Sequence, residues 1–192
     1  MAFFRKLLKL CNINNYKKIK EEDNMASFKL NMNEKLSKDF KLKEFLKSQT
    51  ASRKNIDNTP GSEQLNNIRN LVDNLLQPLR THVDSVLIVT SGYRSPKLNE
   101  EIGGSETSQH IEGQAADIES TVYNTYELAE IIKDNFDFDQ LILEFYNPNE
   151  GDNSGWVHVS YVNDKENRNE VMTAMKTGSG LNYMMGLVKE EP

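Results

Sequence analysis

Leu65, Ile68, Leu71, Val72, Leu75, Leu76 and Leu79 recur at the three-and-four spacing of a single helix face. A stripe of that length commits about five turns of chain to a helix that must bury one side against another layer. Pro78 lies inside the pattern. Having no N–H, it is expected to kink or shorten the helix. Asn58-Thr59-Pro60-Gly61 forms a breaker ahead of it, and Thr59 or Ser62 is expected to cap the start. Just beyond the stripe, Ser85-Val-Leu-Ile-Val-Thr90 is continuous and β-branched, as a buried strand requires.

Tyr126, Leu128, Ala129, Ile131 and Ile132 predict a second helix over 124–136. Residues 140–146 and 156–162 read as strands joined by the turn-rich stretch 147–155, hence a hairpin. A last hairpin is expected through 171–176, a Gly178-Ser179-Gly180 turn, and 181–185. Phe40, Leu42, Phe45 and Leu46 suggest a short strand and a turn of helix. Helix and strand signals mix without strict β-α-β alternation. The expected class is therefore α+β, with helices packed on a mainly antiparallel sheet.

Residues 1–35 are rich in Lys, Asn, Glu and Asp with little apolar periodicity. They read as a basic polar arm or linker, leaving 36–188 as the domain. Arg5, Lys6 and Lys9 interrupt the first apolar run and no small-residue cleavage site follows, unlike a signal peptide. No apolar run approaches the roughly 20 residues that span a bilayer. A net charge of −6 argues against nucleic acid as the main partner. It also disfavours loose adhesion to an anionic wall, so wall binding must depend on a specific site. The single cysteine, Cys11, excludes an intrachain disulfide. A monomer is expected.

Two of the three histidines stand in unusual settings. Ser108-Gln-His110-Ile-Glu-Gly113-Gln-Ala115-Ala-Asp117 places a histidine seven residues before an aspartate, with Gly113 available for a sharp turn. Small Ala115 and Ala116 leave room around them. His158 lies in the aromatic-flanked strand Trp156-Val-His158-Val-Ser-Tyr161. Two imidazoles and a carboxylate satisfy the donor count of a catalytic zinc, whose fourth position holds water. Taken singly, each has an ordinary structural use, Asp117 as a cap for instance. Together, in a chain so poor in histidine, they point to metal. A two-His-one-carboxylate iron site is the other option, but the His and Asp two residues apart on one strand that such sites carry are missing. His82 ends the long helix, where an imidazole suits the dipole.

Hydrolysis at such a site needs a base. Glu144 interrupts the apolar strand Leu141-Ile-Leu-Glu144-Phe, where an unpaired carboxylate is costly to bury. It is the first candidate, provided alternation does not turn it outward. Glu150 and Asp152 are lesser ones. Arg94, in Thr90-Ser-Gly-Tyr93-Arg94-Ser-Pro96, leaves the end of a strand aimed to hydrogen-bond a carbonyl or oxyanion. Its ordinary alternative is an ion pair with a neighbouring carboxylate. Gly103–Ser108 lacks the lysine and the element order of a phosphate loop.

These segments, SGYRSPKLNEEIGGSETSQHIEGQAADIE followed by WVHVSY, resemble the M15 group of zinc peptidases. That group shares its fold with D-alanyl-D-alanine carboxypeptidases and dipeptidases, phage endolysins and the hedgehog signalling domain. The S-x-H-x-x-G-x-A-x-D pattern is filled by Ser108, His110, Gly113, Ala115 and Asp117, and W-x-H by Trp156 and His158. The likeness spans about residues 38–176. It implies zinc on His110, Asp117 and His158 and Arg94 as a substrate or transition-state contact; Ser108, Tyr93 and Trp156 are the substrate-binding candidates. Many relatives carry the catalytic Glu two or three residues before the last His, but Gly155 and Trp156 stand there, which leaves the base to Glu144. The implied activity is hydrolysis of peptidoglycan stem peptides by a phage or prophage lysin. It would cut as a D,D-carboxypeptidase or endopeptidase, or between L-Ala and D-Glu. The hedgehog domain supplies the alternative of a non-catalytic, zinc-stabilised binding or virion module.

Overall fold

A computed structural model describes residues 30–178 and 180–189. The arm expected at 1–35 falls almost wholly outside the described residues, as does Cys11. One compact unit begins at Asn33. Among the described residues, no helix is long and apolar enough to cross a membrane.

The chain opens with two short helices, α1 (Leu42–Leu46) and α2 (Gln49–Lys54). The long apolar stripe then forms α3 (Ser62–Leu71), a π-helical turn (Val72–Leu76) and α4 (Gln77–His82). Each of its seven apolar residues is at most 2% exposed. The helix is therefore longer than Pro78 was expected to allow. In the π turn the Gln77 N–H bonds Val72 O, five residues back. That wider register shifts the hydrogen bonds just before the proline, so the helix continues without its missing donor. The start also differs from expectation. The N-cap is Gly61, with no side-chain cap, and Ser62 is already helical.

Strands β1 (Leu87–Ser91), β2 (Ala115–Ser120), β3 (Gln140–Glu144), β4 (Trp156–Ser160), β5 (Glu170–Thr177) and β6 (Gly180–Met185) form one sheet in the order β1-β2-β4-β3-β5-β6. Every neighbour is antiparallel except the β3–β5 pair. The fold is α+β on a mainly antiparallel sheet, and both expected hairpins form. The remaining helices are α5 (Pro96–Glu101), with Ser95 as its N-cap and Pro96 in its first turn, and α6 (Thr125–Asn135), opened by an Asn124–Glu127 capping box.

Side chains on a strand alternate between faces. Ala116, Ile118, Leu141, Leu143, Val157 and Val159 fall on one face and are fully buried, and α6 packs across β2, β3 and β4. Asp117, His158, Ile142, Glu144 and Trp156 fall on the other. The 85–90 segment, expected to be a wholly buried strand, supplies the edge strand β1; Ile88 on it is 40% exposed, and Val86 just before it 51%. A β-branched run forms either kind of strand, and only pairing decides which.

Candidate metal centre

Three connected features bring the first histidine to the sheet. The Gly113 φ of +72° turns the chain, and a Cβ there would lie 2.6 Å from the Gln64 carbonyl of α3, so only glycine fits. The Asn67 side chain of α3 donates to Glu112 O at 2.8 Å. Finally, Arg94 N donates to His110 O at 3.1 Å, tying the β1–α5 connection to the His110 turn. Asp117 then sits directly across from His158 in the β2–β4 register.

The donor atoms converge. His110 Nε2 lies 3.2 Å from Asp117 Oδ1 and 3.1 Å from His158 Nδ1, and His158 Nδ1 lies 3.0 Å from Asp117 Oδ1. All three residues are buried, His110 to 1% exposure. Together they form a group able to hold a metal ion. Bonds of about 2.0–2.1 Å in a tetrahedron separate donors by about 3.3 Å, close to the triangle found.

Protonation supports the fit. His110 Nδ1 lies 2.6 Å from Gly92 O, and a carbonyl only accepts, so Nδ1 carries the proton. Burial holds the His110 pKa below its ordinary value, against the pull of Asp117. Burial pushes the Asp117 carboxyl up, but the two imidazoles outweigh it and hold it well below the usual carboxylate range. His110 Nε2, His158 Nδ1 and the Asp117 carboxylate oxygen thus face one another within 3.2 Å. That is the electron-rich arrangement a divalent cation satisfies, and a backbone carbonyl orienting the far nitrogen is the usual support of a metal-binding histidine.

Arg94 and Glu144 flank this triangle. Arg94 Nη2 is 3.6 Å from Asp117 Oδ2, and its buried Nε has no hydrogen-bond partner. The strand register answers the question of outward alternation. Ile142 pairs with His158 and Glu144 with Trp156, two residues along, so Glu144 shares the face of His158. Burial raises the Glu144 pKa and the Asp117 carboxylate adds to this, against His158, Arg94 and the Trp156 indole. The buried Trp156 Nε1 has no hydrogen-bond partner. The Trp156 ring rests on Phe145 at 5.2 Å.

The other expected residues divide. Tyr93 is 6% exposed and fastened at both ends, its N–H to Phe45 O and its carbonyl to Asn58. Ser108 closes the turn before His110 through its backbone, to Ser105 O and from Ile111 N. Ala115 lies on the Asp117 side, but Ala116 faces the core, so only one of the two alanines borders the cluster. Glu150 and Asp152 stand exposed in the loop between β3 and β4. His82 packs edge-on against Phe136, away from the site.

Two supports were not foreseen. The Asn58 side chain bonds Leu46 O, Tyr93 O and Ser95 N, clamping both sides of Arg94. Buried Asp139 accepts from Gln109, the neighbour of His110, and from Arg168. Asn58 had read only as part of a breaker, and nothing local in the sequence marks Asp139.

A mainly antiparallel sheet with α6 across one face and a buried His–Asp–His triangle on the other, flanked by an arginine and a glutamate, defines an α+β domain with a candidate metal centre. A family model described as Peptidase M15 matches residues 38–160, a span holding every residue of that centre. The chain belongs to the peptidase M15 family. No curated protein matches it.

Proposed function

We propose that this chain is a zinc-dependent peptidase that hydrolyses peptidoglycan stem peptides at the bacterial cell wall, as a phage or prophage lysin does. One observation carries the metal assignment: three donor atoms converge within 3.2 Å of one another while His110 Nδ1 is committed to Gly92 O. His110, Asp117 and His158 would hold zinc, which supplies Lewis-acid polarisation of a carbonyl and acidification of water.

The surrounding residues do the rest. Glu144, on the same face as His158 and half-buried, takes the proton from the attacking water and returns it to the leaving amine. Arg94, with its unpartnered Nε, donates to the oxygen on which negative charge develops. Trp156 walls the site and excludes water beside Glu144. Tyr93 and Ser108 complete the cleft. The bond cut is a D,D-peptide bond or that between L-Ala and D-Glu.

The test is release of peptide from purified wall by the full chain. About one zinc per chain, with release abolished by chelator and by His110→Ala, is the expected result. Undiminished release in chelator would overturn the proposal. Zinc bound without any release, in wild type and Glu144→Gln alike, would assign a binding module instead.

A further inference from the structure

Between α2 and the end of β1 runs an open groove of about 880 Å³, separate from the donor triangle but joined to it through Arg94. Lys47, Arg53 and Arg94 line it, with hydroxyls from Thr50, Thr90 and Ser91, and no carboxylate is among its lining residues. On a chain of net charge −6 this is a local reversal of sign. Its inner end abuts the candidate centre, because Ser91 pairs with Asp117 across β1–β2 and Arg94 reaches Asp117 Oδ2. Lys47 and Arg53 are exposed and form no ion pair among the described residues, whereas neighbouring Lys54 is engaged by Glu101 outside the groove.

We infer that this groove is the subsite for a free carboxylate on the peptide substrate, held by Lys47 and Arg53 while the scissile bond lies beyond Arg94. The inference rests on the peptidase assignment and narrows the substrate class to acidic peptides. Positive groups in a concave site focus an anionic ligand and reject its neutral analogue. Each exposed pair contributes modestly, so the two together give about a five- to tenfold preference.

The test uses two stem peptides that differ only at D-glutamate, one with its α-carboxylate free and one amidated. Binding is titrated into zinc-loaded full-length Glu144→Gln protein, and cleavage is followed in wild type. The free acid is expected to bind about five- to tenfold tighter. The preference should fall below about twofold in Lys47→Gln/Arg53→Gln and shrink at high salt. Both substitutions are at exposed positions and spare the fold. Equal affinity for the two peptides, or a preference that survives the double substitution, overturns the inference. Cleavage of both peptides without preference sinks the groove and keeps the peptidase. Preferential binding without cleavage keeps the groove and sinks the peptidase.

Discussion

Asp139 is the strongest test of how the His110 turn is held. Its carboxylate is 4% exposed and accepts from Gln109 Nε2 at 2.9 Å, from Arg168 Nε at 2.9 Å and from Arg168 Nη2 at 2.6 Å, with the Arg168 N–H at 3.2 Å. Asp139→Ala removes all of these acceptors. Hydrogen bonds to a charged group are worth about 1.5–3 kcal/mol each when buried. The Arg168 side chain is 53% exposed, so water replaces most of its share. What remains is the Gln109 amide and the Arg168 backbone N–H, about 3 kcal/mol together. In a domain of this size that lowers the melting temperature by about 6–12 °C. Burial raises the Asp139 pKa, but Arg168 and Gln109 more than offset it, so the folded value lies below the ordinary 3.8. A depressed carboxylate contributes its stability above the unfolded value and loses it as pH falls through the folded one. The gap between wild type and Asp139→Ala should hold steady from about pH 5 to 8 and narrow below about pH 4. Thermal melts across that range decide it. A variant melting within about 2 °C of wild type at pH 7, or a gap unchanged at pH 3, refutes the reasoning.

Three further outcomes are expected. Gly155→Ala should cost about 2–4 kcal/mol in urea unfolding, because φ is +67° and a Cβ would sit 2.0 Å from Glu144 O; a wild-type midpoint would count against it. Asn58→Ala, losing three hydrogen bonds around Arg94, should cost about 1–3 kcal/mol and raise KM more than it lowers kcat, and steady-state kinetics read both. Glu144→Gln should keep its metal by elemental analysis while peptide release falls at least about 100-fold; retained release would remove Glu144 from the chemistry.

Residues whose identity is rare and costly were legible in the sequence. A chain with three histidines that sets two of them among glycine, small residues and aromatics has few uses for them, and the register brings both to Asp117. The amphipathic stripe was legible too, since seven apolar residues at helical spacing admit one burial solution. The π turn inside it was not. Over Val72–Leu76 the helical and π spacings place the same residues on nearly the same side, and hydrogen-bond register leaves no mark on hydropathy.

Glu144 shows where local pattern ends and topology begins. An acidic residue in Leu141-Ile-Leu-Glu144-Phe says that one face of the strand is special, but not which neighbour shares it. The β3–β4 register answers that, by placing Ile142 against His158 and Glu144 against Trp156. Asp139 stands only five residues away and carries a more deeply buried carboxylate, yet its partners come from residues 30 positions before and 29 after it. Its role depends on which turns the fold brings together, a property of topology rather than of sequence spacing. Two carboxylates so close in the chain therefore sit in opposite electrostatic surroundings. Glu144 has its pKa raised beside the donor triangle, as the proposed role of proton acceptor requires. Asp139 has its pKa lowered beside an arginine, as a fixed anionic clamp requires.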